Sequence, residues 1–463
     1  MFPPARAPAL AWGLGPFFLA PSRGDLCPKL TYTQRMEQKP SRKTVLWVNS
    51  TYFAEGLPYM VVRILSGVFF TQLGVKERYL GYLNFLGVPW NFKFLWAPLL
   101  DGWATKRSWQ IALQTLIGFL ACAIGAVSFV AAGADAPDQY LALVAWLFVA
   151  MAVLSATNDI AIDGYYLQAL PRREDQALLS GYRVLSYRLA MVFARSGIVG
   201  LVGWLAAGSQ PAAVHNAWAI GFGVSGGVMV LLALLHQFFL PRCEAPHVGV
   251  DHLARARRVF WNGFATYLAQ PQVGFILAFI VCYKLGDEIL FSMVTPFMLR
   301  ELKITTEQYA WIAGIVGALG TIVGAMWGGW WIKRVGLRRA LMPLTLIMNL
   351  NILLYVWLSV AKPDPATWGG LSIIAVIHGV EQVAAGLGSA ALLVFLLTTC
   401  STDFKATHYA VGSAIMSIPG TIVGGMGGRI VEALGYTNLY CIAFAAAIPS
   451  IVMVPWVPIR AEQ

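Results

Sequence analysis

Charge is scarce in this chain. Of its 463 residues only 12% are charged, whereas 58% are hydrophobic, and both figures lean away from a water-solvated domain and toward lipid as the solvent. Regular polar interruption is missing too: the polar faces that recur every few residues along a large soluble core do not appear. Cysteine is sparse, with Cys27, Cys122, Cys243, Cys282, Cys400 and Cys441 scattered at spacings that exclude a disulfide framework or a thiolate metal site. They read as small buried apolar residues. The six histidines have no ligand spacing, and no nucleophile–base set stands out, which argues against an enzyme and gives no reason to expect a metal or cofactor.

What the chain does have is long apolar runs. A membrane-spanning helix needs about 20 mostly apolar residues, because the hydrocarbon layer is about 30 Å thick and a helix rises about 1.5 Å per residue. Such runs fall at 44–71, 79–100, 108–131, 139–168, 179–204 and 216–240, then at 272–299, 306–332, 340–361, 369–400, 406–432 and 437–458. The expected fold is therefore an all-α membrane protein of twelve transmembrane helices in two pseudo-symmetric six-helix bundles. The expected domains are a cytoplasmic tail at 1–43, a first bundle at 44–240, a basic cytoplasmic linker at 241–271, a second bundle at 272–458 and a short tail at 459–463. Residues 1–35 contain a short apolar stretch, Ala9 to Ala20, and Met36 opens a plausible polar leader. The expectation is that 1–35 is disordered or an upstream mis-start.

The net charge of +11 would suggest nucleic acid in a soluble protein, but its placement says otherwise. With the N-terminus inside, loops on the cytoplasmic side collect roughly 19 Lys and Arg and the outer loops roughly 5. The stretches 132–138, 205–215 and 433–436 hold none. The basicity is topological information: a multi-pass protein with both termini cytoplasmic, its surroundings a lipid bilayer, with no nucleic-acid partner.

The two sets of six spans echo each other at a spacing of roughly 225–230 residues, the signature of a carrier in which two bundles rock about a central site. Ionisable residues inside lipid are costly and are functional candidates by default. In a six-plus-six carrier, spans 1, 4, 7 and 10 line the cavity, and here each carries an acid: Glu55, Asp159, Asp287 with Glu288, and Glu381. Lys284 lies three residues before Asp287 and four before Glu288, within reach of either. A carboxylate whose basic partner engages and disengages can couple a proton to the cycle, so Asp287, Glu288, Lys284, Glu55 and Glu381 are the expected proton-coupling set. Pro58 is expected to break the first span near mid-membrane.

For solute contacts the candidates are Tyr52 and Tyr283 beside the acids, the mid-span cation Lys93, Arg63, Asn158, Asp159, Arg188 and Gln382. Arg188 and Arg195, seven apart on one helix face, are natural partners for the acids of span 4. Asp101 with Lys106 and Arg107 reads as a cytoplasmic gate, together with Asp163 near the same side. The alternative for each ion pair is a static contact that only fixes helix packing. His378, three residues before Glu381, is the one histidine placed for proton chemistry.

The stretches YFAEGLPYMVVRILSGVFFTQLGV and VPWNFKFLWAPLLDGWATKRSW resemble the AmpG-like permeases of the major facilitator superfamily. So do ATNDIAIDGYYLQALPRREDQALLSGYRVLSYRLAM, CYKLGDEILFSMVTPFMLRELKIT and LGSAALLVFLLTTCSTDFKATHYAVGSAI, and the likeness spans 44–458. The resemblance implies proton-driven import of anhydro-muropeptides, cell-wall recycling products, across a bacterial inner membrane by a monomer. One departure is Glu381-Gln382, where Glu-Asn is expected. The same cations and aromatics would also serve another organic anion, such as a siderophore or an acyl-CoA. A non-transporting membrane sensor keeping the fold is the alternative of another class.

Overall fold

The computed structural model describes residues 41–97, 100, 104–134, 136–207, 211–243, 258, 261–401 and 405–459. Asp101, His247, His252 and most of the two expected tails and the linker lie outside the described residues. Every described element is helical. The helices are α1 (Arg42–Gln72), α2 (77–95), α3 (Lys106–Ala132), α4 (Leu141–Ala169), α5 (Glu174–Ala206) and α6 (Pro211–Phe239). They continue as α7 (273–301), α8 (Thr306–Val335), α9 (Leu337–Ala361), α10 (Trp368–Thr398), α11 (405–434) and α12 (436–453). The twelve agree with the twelve apolar runs to within a few residues at most ends.

Local chemistry sets the helix boundaries. Thr305 opens α8 with a reciprocal cap: its hydroxyl accepts from the Gln308 N–H at 3.1 Å, and its own N–H donates to Gln308 Oε1 at 2.8 Å. Thr105 and Thr367 start α3 and α10 with the same kind of hydroxyl cap. Gly435, at φ 80°, turns the chain between α11 and α12 in a conformation that a side chain would resist.

Several spans depart from regular α-helix, and the departures in α2 and α1 matter for the site. Helix α2 is a chain of short pieces: α-helical at Glu77–Tyr82, 3₁₀ at Leu83–Gly87, α-helical at Val88–Phe92 and 3₁₀ at Lys93–Leu95. Pro89, which cannot donate to the preceding turn, falls in this interrupted stretch. Helix α1 corrects the expectation at Pro58. The helix runs through the proline and slackens afterwards into a π-helical turn at Val61–Leu65. Pro58 has no N–H for the Ala54 carbonyl four residues back, and the Asn158 side chain of α4 supplies the missing donor at 3.2 Å. Without that outside donor the carbonyl would be buried and unsatisfied.

Within the first six helices, α1 packs on α5 and α3 packs on α4 and α6; in the second six, α7 packs on the α11–α12 pair and α8 on α10. The two sets meet along α2 with α11 and α5 with α8. The first of these seams is close enough to need glycine on both sides: a Cβ on Gly81 would stand 2.7 Å from the Gly428 backbone nitrogen.

Candidate functional site: a charged cavity between the two helix sets

Residues of α1, α2, α5, α7, α8 and α10 enclose a cavity of about 410 Å³. Its polar lining includes Arg63, Arg188, Arg195, Lys284, Asp287 and Glu288. Two clusters of intramembrane charge flank the passage, one in each set of helices.

In the first set, Lys93 of the broken α2 forms an ion pair with Asp159 of α4. The Glu55 carboxyl lies beside Asp159, and its Oε2 is buried with no hydrogen-bond partner. One turn along α4, Asp163 accepts from Arg183 of α5 at 2.8 Å and from the Tyr52 hydroxyl at 3.0 Å. The Arg183 guanidinium also stacks over the rings of Tyr52 and Tyr166, at 4.3 and 4.4 Å from their centroids. The four-residue spacing of Asp159 and Asp163 thus places both on the α4 face that meets α1 and α2.

In the second set, Lys284 pairs with Asp287 on α7, as their three-residue spacing allows. Glu381 of α10 lies within electrostatic reach of that pair and accepts from its neighbour Gln382 at 3.1 Å; Gln382 in turn accepts from Thr321 of α8 at 2.8 Å. Glu288 faces the cavity, its carboxylate packed over Gly420 of α11.

Several expected solute contacts are committed elsewhere. Tyr283 is fully buried in a hydrophobic cluster, and its hydroxyl donates to the Gly388 carbonyl at 3.1 Å; it is a packing residue between α7 and α10. Asn158 serves Ala54, as described, and Lys93 and Asp159 hold each other. Arg63 lines the cavity but donates to the Asn84 carbonyl at 2.8 Å, a group within the 3₁₀ stretch of α2. At the expected gate, Arg107 donates to the carbonyls of Gln237 and Leu240 and so caps the end of α6 within its own set of helices, as a cation at a helix C-terminus should. Lys106 is buried with its chain along Gly164 of α4. Asp101 lies outside the described residues.

Arg188 and Arg195 give the clearest correction. Neither forms an ion pair with an acid of α4. The expected pairing rested on two residues sharing a helix face, but the face they share is turned into the cavity. Among the described residues, Arg188 has only the Met191 sulfur at 3.5 Å, and Arg195 reaches the Ala313 carbonyl of α8 at 3.5 Å with its Nε buried and unpartnered.

Sequence reading missed a second group of charges, at the end of the molecule opposite Arg42. Arg300 of α7 crosses to the first set of helices. It donates to the carbonyls of Thr71 at 3.0 Å and Val75 at 2.8 Å, and to Glu77 at 2.9 Å. Arg78 pairs with Glu432 at 2.7 Å, and Gln72 donates to Thr306. These residues sit at the ends of their spans, where a charge looks like ordinary solvated surface. Deeper along α2, Asn91 donates to Thr421 of α11 at 2.9 Å, a further contact between the two sets.

A long all-helical chain folded around a charged cavity between two sets of six membrane spans is the architecture of a secondary carrier. The sequence profile of the Major Facilitator Superfamily matches residues 50–428, and the chain belongs to that superfamily. Within it the chain resembles the AmpG-like permeases. It is 29% identical over 427 residues to the anhydromuropeptide permease of Escherichia coli (strain K12), covering 90% of this chain and 80% of that protein. It is 22% identical over 408 residues to the putative transporter AmpG 4 of Rickettsia felis, covering 86% and 92%. Among solved structures it is similar to a D-xylose-proton symporter, with TM-score 0.60, 13% identity and coverage of 90% and 98%. It is also similar to a bacterial homologue of the iron transporter ferroportin in an inward-facing state, with TM-score 0.61, 12% identity and coverage of 89% and 98%. At these identities the two structures speak for the fold.

Proposed function

We propose that this protein is a proton-coupled importer of a bulky anionic solute, anhydro-muropeptide being the solute the likeness favours, in a bacterial inner membrane with both termini cytoplasmic. The observation that carries the reading is the cavity. Its volume of about 410 Å³ lies within the roughly 300–1,000 Å³ of a small-molecule site, and among the described residues it presents two arginines without carboxylate partners. A disaccharide-peptide has the carboxylates and the sugar faces to use such a lining, with Tyr59 available for CH–ring contact. The two domains of the carrier would be 44–240 and 272–458, rocking about the seams of α2 with α11 and α5 with α8.

For coupling, the proposal assigns proton-carrying roles to Glu55 and to the Lys284–Asp287 pair, with Glu381 beside the latter. A buried carboxylate oxygen without a donor is costly while charged, and a proton relieves the cost. Glu55 Oε2 is in that position. Lys284 can swing from Asp287 to Glu288, which its four-residue spacing also reaches, changing how firmly Asp287 holds a proton. With the termini inside, the polar contacts of Arg300, Arg78 and Gln72 lie on the periplasmic side, so this conformation is closed to the periplasm.

The direct test is uptake of radiolabelled anhydro-muropeptide by cells lacking their own permease and expressing this protein, with and without an uncoupler. Uptake that the uncoupler abolishes is expected. Absence of muropeptide uptake, with the protein present in the membrane, would remove the substrate assignment; uptake indifferent to the uncoupler would remove proton coupling.

A further inference from the structure

The cavity lining carries groups of opposite chemistry. Arg195 of α5 and His378 of α10 approach each other from different sets of helices. Both line the cavity, and each carries a buried nitrogen with no partner: Nε of Arg195 and Nε2 of His378. His378 is 3% exposed, and its other nitrogen, Nδ1, is held by the Tyr355 hydroxyl at 2.8 Å, which fixes the ring with Nε2 free. Arg188 adds a second cation two helical turns before Arg195, held only by a methionine sulfur. Such a group of unspent donors costs free energy in the empty cavity and regains it when an anion arrives.

The acidic counterpart in the lining is Glu288. Its neighbour Asp287 is occupied by Lys284, whereas Glu288 makes no direct hydrogen bond or ion pair among the described residues and lies in the cavity over Gly420. The cations nearest it, Lys284 and Arg63, are held by Asp287 and by the Asn84 carbonyl. A side chain at position 420 would collide with that carboxylate, so the absence of one lets Glu288 lie flat against α11. A carboxylate in this setting suits an ammonium group.

We propose that the cavity recognises a zwitterion: Arg195 and His378, with Arg188, take a carboxylate of the solute, and Glu288 takes an ammonium. This rests on the proposed transport of a peptide-bearing solute and narrows it. A neutral sugar, or an acyl-CoA with anionic groups only, would bring no positive group to meet Glu288. Because Arg195 belongs to one set of helices and Glu288 and His378 to the other, a zwitterion bridging them would also hold the two sets together across the passage.

The test is ligand-induced thermal stabilisation of the purified full-length protein with two families of probes. One is anhydro-muropeptide with its amine free, N-acetylated, or with its carboxylates amidated; the other is the same peptide without the sugar, in the same three forms. For wild type, either block is expected to weaken binding about tenfold, the scale of one charge-assisted hydrogen bond. In Glu288→Gln the preference for the free amine should vanish while the preference for the free carboxylate stays. In Arg195→Gln and His378→Gln the pattern should reverse. The discrimination that each variant retains reports that its cavity is folded, and recovery of the amine preference in Glu288→Asp provides a second check. Zwitterion preference in the sugarless peptides alone would overturn the muropeptide assignment and leave this inference standing. Equal binding of free and blocked forms, binding of neither family, or variants that keep both preferences would overturn the inference, whatever the uptake assay shows.

Discussion

Arg300 and Glu77 meet at 2.9 Å across the junction of the two sets of helices, and the same guanidinium caps the last carbonyls of α1. One side chain therefore satisfies a helix end in the opposite set and neutralises an acid at the start of α2. The contact suits a latch: it is polar, partly exposed and accessible to water, so its groups can be rehydrated when it opens. A contact buried in hydrocarbon could not part so cheaply.

Removing the latch should release the closed end. A hydrogen bond to a charged group is worth about 1.5–3 kcal/mol, so Arg300→Gln should shift the balance between closed and open forms by about tenfold or more. Spin labels at Tyr79 and Leu434, both exposed and near the Arg78–Glu432 pair, should report a larger population of long distances in Arg300→Gln and a smaller gain in Glu77→Gln. A distance distribution identical to wild type in both variants would show that the contact does not hold the end shut.

The dependence of Pro58 on Asn158 can be tested as a cycle. Asn158→Ala should lower stability by about 1–3 kcal/mol, the cost of leaving the buried Ala54 carbonyl unpaired. In Pro58→Ala the helix regains its own donor, so Asn158→Ala on that background should cost much less. Thermal unfolding of the four proteins in detergent measures the coupling; additive losses would mean that Asn158 serves some other group.

That pair also shows where sequence reading succeeds and where it stops. The twelve apolar runs were legible because a bilayer imposes a length on each helix, and the acids of α1, α4, α7 and α10 stood out because lipid makes charge expensive. Partners were harder to read. The four-residue spacing of Asp159 and Asp163 fixed a common face, but the choice of Lys93 for one and Arg183 for the other depends on how α2 and α5 pack. Arg188 and Arg195 share a face too, and nothing local reveals that it looks into the cavity and away from α4. Tyr283 sits one residue from Lys284 and looked like a site residue, yet successive residues on a helix point about 100° apart, enough to move it from passage to core. Arg300 was invisible because its significance lies in a contact with residues more than 200 positions away.

Tyr283 gives a prediction that separates packing from binding. Tyr283→Phe removes the hydroxyl bond to the Gly388 carbonyl and should cost about 1 kcal/mol of stability. Solute affinity, measured on the folded fraction, should stay within about twofold of wild type, because that change corresponds to only a few tenths of a kcal/mol. A large loss of affinity with unchanged stability would restore the residue to the binding site.

The cluster of Lys93, Asp159 and Glu55 makes a sharper demand. Lys93→Met leaves Asp159 without its cation in a half-sealed site, and breaking such a pair from one side typically costs about 3–5 kcal/mol. Neutralising both partners in Lys93→Met with Asp159→Asn should recover much of that loss, so the double variant should unfold at a higher temperature than Lys93→Met alone. Glu55→Gln probes the neighbouring function: a glutamine cannot take up and release a proton. In proteoliposomes carrying an imposed pH gradient, Glu55→Gln should still exchange labelled solute for unlabelled solute across the membrane, because exchange needs only binding and rocking. Its uphill accumulation should fall to the level reached without a gradient. If Glu55→Gln accumulates solute as wild type does, the unpartnered oxygen of Glu55 is a feature of packing, and the coupled proton must ride on the α7 pair instead.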